Sequence, residues 1–381
     1  MKLLRIVAAV LIAAVLAHES RLAGSQRLGS PRLKTRNVLL VTTDGLRWQE
    51  VFGGADRALL NREKGGVVDL LALSTAFNRD TPEERREALM PFFWRTIARQ
   101  GQVFGNAEAG ETVKVTNGRN FSYPGYNELF TGWADPRIDS NNKVPNQNVS
   151  VLEWLNRQAD FRGRVAAFGS WEVFPYILNR FRSKIRVVAA WERQTGRNLS
   201  PEERMIAQLK ADTTRLWPEC CFDVFTFRSA LAYLKRKQPR VLYIGLGETD
   251  EWGHAGRYDH YLEAAHRVDG YLKTLWETVQ SIPQYRDSTT LIVTTDHGRG
   301  DAPVEWKSHG QKIKGSERIW MAVMGPDTPA RRREEGTPLV KLTQSQVAAT
   351  VAAVLGQDYR AFEPRAAPPI ASVLPEDVQA Q

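Results

Sequence analysis

Apolar residues along the chain gather in short unbroken runs. Between the runs they recur every three or four positions. The runs are 37–43 (NVLLVTT), 165–168 (VAAF), 240–246 (RVLYIGL), 290–295 (TLIVTT) and 319–324 (IWMAVM). They lack the polar alternation of a strand with one wet face, which suits strands covered on both sides. Helical spacing appears over 91–100, 151–158, 229–236, 258–279 and 344–355. Strands alternating with helices predict an α/β fold, a doubly wound and mostly parallel sheet flanked by helices. No internal repeat is visible.

The N-terminus departs from this pattern. Residues 1–5 (MKLLR) are basic, 6–17 are apolar and uncharged, and polar His18-Glu19-Ser20 follows. That is a signal-peptide pattern, with Ala17 the last residue removed. The apolar stretch is short for a bilayer span. The mature protein is therefore expected to be exported, periplasmic or extracellular, with no stable membrane insertion after cleavage. A linker is expected over 18–34 and a single catalytic domain over 35–365. Within it, 56–86 reads as a charged surface insertion and 171–235 as a cap or substrate region. The Pro/Ala-rich tail, 366–381, is expected to be loose.

Composition narrows the function classes. The chain has 381 residues, 42% hydrophobic and 25% charged, enough for one large α/β domain. The net charge of +9 is spread along the chain rather than gathered in one block. This disfavours a nucleic-acid-binding module and suits a small anionic substrate. The only cysteines, Cys220 and Cys221, are adjacent, so there is no disulfide framework.

Chemistry gathers where the apolar runs stop. Asp44-Gly45 follows the first run. Asp250 and His254 follow RVLYIGLGET, Asp296-His297-Gly298 follows TLIVTT, and His309-Gly310 lies in a later loop. A lone Asp after a strand is usually a turn or cap residue. Several acids and imidazoles at successive strand exits are different, because open α/β sheets bind ligands beyond the carboxyl ends of their strands. Aspartate and neutral imidazole suit zinc in a hydrolytic site. The pattern predicts a metal site at that sheet edge. His260 and His266 fall inside the next helical stretch and read as packing residues.

A nucleophile is sought in Asn120-Phe121-Ser122-Tyr123-Pro124-Gly125-Tyr126. Ser122 stands at the start of a short helical segment. It either caps that helix or presents its hydroxyl to a metal and an incoming phosphoryl group at the helix N-terminus.

These motifs, in this order, resemble the alkaline phosphatase superfamily. The resemblance is nearest to its nucleotide pyrophosphatase/phosphodiesterase and phosphate-monoesterase branches. It rests on Asp44-Gly45-Leu46-Arg47, the Ser122 stretch leading to Thr131-Gly132, Asp250-Glu251-Trp252-Gly253-His254, Asp296-His297-Gly298 and His309-Gly310. The resemblance implies two zinc ions, with Mn2+ or Mg2+ as other divalent choices. One would be held by Asp250, His254 and His309, the other by Asp44, Asp296 and His297. It also implies Ser122 as nucleophile, passing through a phosphoseryl intermediate. An amide beside the substrate oxygens would come from Asn142, or from its neighbour Asn141.

Further substrate contacts are expected from Asn179, Arg180 and Lys312. Two departures matter. Ser-Tyr-Pro-Gly stands where the diesterase branch carries Thr-Phe-Pro-Asn, and Tyr126 stands where sulfatases carry Arg. The expected activity is phosphoric-ester hydrolysis on a small-molecule phosphate ester, with monoesters preferred. Alternatives are a phosphodiesterase or nucleotide pyrophosphatase, and a non-catalytic metal-containing protein that binds phosphate or glycan. Nothing in the sequence points to an oligomeric state.

Overall fold

The computed structural model describes residues 33–194, 198–330 and 340–379. The expected signal peptide and most of the linker lie outside the described residues.

Five parallel strands build most of the sheet. They are β1 (Asn37–Thr43), β4 (Val165–Gly169), β5 (Arg186–Ala189), β6 (Val241–Leu246) and β7 (Thr289–Thr294). β8 (Met321–Met324) runs antiparallel to β7, and β2 (Gln102–Phe104) antiparallel to β8. The order across the sheet is β2-β8-β7-β1-β6-β4-β5. β3 (Thr112–Lys114) and β9 (Lys341–Thr343) form a separate parallel pair. β1 is central, and every residue of β1, β6 and β7 is buried.

Burial on both faces follows from the period of two along each strand. Leu39, Val41, Leu242, Ile244, Leu291 and Val293 pack into one apolar layer with the helices Asp223–Lys237 and Tyr258–Ser281. Val38, Leu40, Val241, Tyr243 and Ile292 enter the other, with the helices Ser122–Thr131, Val151–Arg157 and Gln346–Val354. A fully buried leucine contributes about 1.5–3 kcal/mol through area removed from water. The two layers together enclose the central strands on both faces.

Four segments differ from the sequence reading. β2 and β5 are short edge strands: the three residues of β2 give no long run, and β5 stops just before Ala190, whose left-handed conformation (φ 41°) breaks the strand within an apolar stretch. Segment 56–86 is charge-rich at both ends, yet Leu59, Leu73 and Phe77 are buried in the first layer. Its helix Pro82–Leu89 begins with a capping box between Thr81 and Glu84. The tail expected to be loose is packed through residue 374. Ile370, Val373 and Leu374 join the second layer, and Gln102 Nε2 donates to the Ser372 carbonyl at 2.5 Å. Isolated apolar residues among prolines and alanines conceal such docking from a periodicity reading. Among the described residues, no helix is long and apolar enough to cross a membrane.

Candidate metal centre and nucleophile

Three neighbouring strands deliver their exits to one helix N-terminus. β1 leads into Asp44, and β7 into Asp296 and His297. β6 runs into the helix Glu248–His254, with Asp250 on its first turn and His254 on its last. His309 follows the single turn Glu305–Lys307. Ser122 opens the helix Ser122–Thr131. It is not that helix's cap: the capping position falls to Phe121, and no side chain fills it.

His297 Nε2 is the hub. It lies 3.4 Å from Asp44 Oδ1, 3.5 Å from Asp296 Oδ2 and 3.4 Å from Ser122 Oγ. Those two carboxylate oxygens are buried without a hydrogen-bond partner. The other oxygen of each is engaged. Tyr126 donates its hydroxyl to Asp44 Oδ2 at 3.0 Å, and the Gly45 N–H donates to Asp296 Oδ1 at 3.2 Å. His297 Nδ1 donates to the Gly298 carbonyl at 2.9 Å, so in the neutral ring Nε2 presents a lone pair.

Three buried acceptor atoms thus face one another. Leaving such an atom unpaired costs about 1–3 kcal/mol. One cation would satisfy all three, and two carboxylates with an imidazole are a donor set that fits zinc.

A second cluster adjoins the first. His254 Nε2 lies 3.0 Å from Asp250 Oδ2 and 3.0 Å from His309 Nε2. His309 Nδ1 donates to the Asn120 carbonyl at 3.2 Å, which turns its Nε2 inward. Backbone acceptors of this kind orient metal-binding imidazoles. The His297 and His309 rings stack with centroids 4.0 Å apart. Two trios bring ligand atoms within 4.8 Å of one another: Asp44, Asp296 and His297, and Asp250, His297 and His309. His297 belongs to both, while His254 stands half exposed at the mouth.

Crowded acids and rings shift one another's protonation. Burial, then the Asp250 carboxylate, pushes Asp44 far above the ordinary carboxylate range. Burial, then Asp44, does the same to Asp296. Burial, then His297, holds His309 well below the ordinary imidazole value. Burial also works against ionised Asp250, but Arg299, ahead of His309 and His254, outweighs it and holds this carboxyl well below its usual range. Like charges this close demand a counter-charge.

The two clusters open into a cleft of ≈ 490 Å³, lined also by Ser122, Asn141 and Asn142. Asn141 Oδ1 accepts the Tyr123 N–H at 3.0 Å. Asn179, Arg180 and Lys312, expected over the site, do not line this cleft. Each is placed elsewhere. Asn179 adopts a left-handed conformation (φ 38°), caps the helix Arg180–Ser183 and donates to the Asn146 carbonyl at 2.9 Å. Arg180 pairs with Glu192 at 2.8 Å, and Lys312 is exposed. His260 and His266 also point elsewhere, to Glu263 and to the Leu89 carbonyl.

Sequence reasoning missed four residues here. Tyr126 anchors Asp44. Lys143 is the one Lys or Arg lining the cleft among the described residues, and it pairs with Glu172 at 2.6 Å. Glu251 faces the cleft, pushed up to about 7 by burial and then by Asp250. Arg299 is buried behind Asp250. The available signals were adjacency for Lys143, next to Asn142, and for Arg299, two places after His297.

Residues 73–352 match the model of the family described as type I phosphodiesterase / nucleotide pyrophosphatase. No curated protein matches the chain in sequence. Among solved structures, wild-type alkaline phosphatase PafA is similar with a TM-score of 0.58 at 10% identity, covering 90% of this chain and 99% of that one. The lipoteichoic acid synthase LtaP from Listeria monocytogenes is similar with a TM-score of 0.50 at 11% identity, covering 91% of this chain and 76% of that one. At such identities the likeness is one of fold.

Proposed function

Because this chain belongs to the type I phosphodiesterase / nucleotide pyrophosphatase family, we propose that it hydrolyses phosphoric esters with Ser122 as nucleophile and two zinc ions as cofactors. The observation that carries the reading is the convergence of Ser122 Oγ, Asp44 Oδ1 and Asp296 Oδ2 on His297 Nε2, all within 3.5 Å of it. Asp44, Asp296 and His297 would hold one ion; Asp250, His254 and His309 would hold the other, with His297 close enough to share. Bound zinc would supply Lewis-acid stabilisation to the attacking and leaving oxygens of an in-line displacement.

The chain's own residues do the rest. The helix Ser122–Thr131 starts at the site, so the positive end of its dipole would lie toward an incoming phosphoryl oxygen. Ser122 Oγ attacks phosphorus, the ester oxygen leaves with a proton, and a phosphoseryl ester forms. Water then cleaves that ester and restores the hydroxyl. Asn141 and Asn142 line the wall where an amide would steady the remaining phosphoryl oxygens. Export of the protein remains part of the proposal on the strength of its N-terminal pattern.

The cleft's charge favours a diester over the monoester expected from sequence. A monoester dianion needs more positive charge than a diester anion. Arg180 and Lys312 are elsewhere, and Lys143 faces a wall that includes Glu219 and Glu251. The family match points the same way. A monoester preference would require the metal ions alone to balance the extra charge.

Three measurements test the proposal. Paired assays with a phosphate diester and a monoester should give the larger kcat/KM for the diester; the reverse ranking returns the monoester reading. Ser122→Ala should keep its fold, because Ser122 caps nothing, yet lose turnover by a factor on the order of 10³ or more. Acid quenching during turnover should trap labelled phosphate on Ser122 of the native enzyme. Near-normal turnover in Ser122→Ala would replace the covalent route with direct attack by water.

A further inference from the structure

Arg299 stands out among the groups that the proposed reaction does not use. It is a long cation, only 1% exposed, placed behind the ligand cluster rather than in the cleft. Nε donates to the Trp306 carbonyl at 2.8 Å, and Nη2 to the Lys307 carbonyl at 2.5 Å. Nη1 donates to Asp250 Oδ1.

The backbone leaves room for this arrangement at two glycines. A Cβ on Gly45 would lie 2.5 Å from Asp250 Oδ1 and 3.0 Å from Arg299 Nη1. A Cβ on Gly253 would lie 2.7 Å from Arg299 Cζ. Gly45 also has φ +60°, which disfavours a side chain independently.

The consequence is mechanical. One planar guanidinium joins three segments that each carry candidate ligands. Its own backbone extends the β7 exit just past His297. One arm holds Asp250, on the helix after β6. Two arms hold the turn Glu305–Lys307, whose chain continues into His309. Because Arg299 occupies Oδ1, Asp250 turns Oδ2 toward His254 Nε2, 3.0 Å away. Lysine, a point donor on a flexible stem, cannot engage all three acceptors in one plane.

We propose that Arg299 is a positioning residue for the metal centre. It restricts Asp250 to a single donor oxygen and sets the His309 segment at the distance that completes the Asp250, His254 and His309 site. The inference rests on the two-metal reading above.

The test compares native protein with Arg299→Lys and Arg299→Met, each loaded with zinc and then with cobalt(II). Elemental analysis counts metal, and visible absorption reports the geometry around cobalt. Native protein should hold about two ions per chain. Both variants should hold about one, and both should lose the absorption of one cobalt site while the Asp44, Asp296 and His297 site stays filled. A charge role alone predicts otherwise. Arg299→Lys would then match the native protein, and Arg299→Met would bind metal more tightly because a nearby cation is gone.

Two ions with an unchanged cobalt spectrum in the variants, at whatever melting temperature, would overturn the positioning role and leave the metal reading intact. A native protein that takes up no metal would overturn the metal reading itself. Should Arg299→Met fail to fold, the Lys variant alone decides between positioning and charge.

Discussion

Two pairs of buried carboxylates lie near the end of the central strands, and they are built in opposite ways. Asp223 and Glu248 open adjacent helices, and each accepts the other's backbone N–H, at 2.8 and 3.1 Å. Asp223 also accepts from Ser170 Oγ at 2.6 Å and from the Gly247 N–H at 2.7 Å. Arg267 donates to Glu248 at 2.6 Å. Neither helix is capped by its own N-cap side chain, so the pair caps both crosswise. Asp44 and Asp296 are as deeply buried, yet each keeps one oxygen unpartnered and turned toward His297 Nε2. A carboxylate satisfied by protein donors is complete in the fold. One left with an orphan oxygen carries a cost of burial that a proton or an added cation relieves.

The largest effect expected from this contrast is on metal. Asp296→Asn keeps the shape of the side chain but weakens its donor. Zinc content should fall, and turnover should drop by more than the ~10–100-fold that loss of an outer partner typically costs. Asp223→Asn, equally buried and similarly close to a strand exit, should keep its zinc. Elemental analysis of the two variants side by side reads this directly. Equal metal loss in both would erase the distinction between completed and incomplete acids.

Stability should show the reverse ranking. Glu248→Ala leaves the Asp223 N–H and the Arg267 guanidinium without their acceptor. The expected cost is about 1–3 kcal/mol, read as a lower midpoint in urea with metal content unchanged. In metal-free protein, Asp296→Asn should be close to neutral or stabilising, since it removes charge repulsion from Asp44.

A smaller effect should appear with pH. Burial, then the Glu248 carboxylate, pushes Asp223 up to about 7 from an ordinary 3.8. The native state therefore holds this proton more tightly than the unfolded chain. The resulting stabilisation is complete below about pH 4 and is lost as pH rises through 7. The Tm of native protein minus that of Asp223→Asn should be larger at pH 5 than at pH 8. A difference that grows toward pH 8 would contradict the raised value. Smallest of all, His260→Ala should leave zinc content unchanged, because that ring bonds Glu263 and packs on Trp252 with centroids 4.4 Å apart.

Much of this was legible in the linear chain. The long apolar runs became the central strands because burial on both faces admits few polar residues, and that demand is local in sequence. The candidate ligands were legible for the same reason. An acid or imidazole beside glycine at the end of such a run breaks an otherwise apolar pattern. Only the tertiary structure decided which oxygen of each acid stays free and which ring nitrogen turns inward. Those outcomes depend on Tyr126, the Asn120 carbonyl and Arg299, partners whose separation along the chain bears no relation to their separation in space. Tertiary structure likewise placed Lys143 in the cleft and kept Arg180 and Lys312 out of it. Charged side chains on loops go to whichever counter-charge the packed elements bring within reach, and a sequence pattern carries no record of that choice.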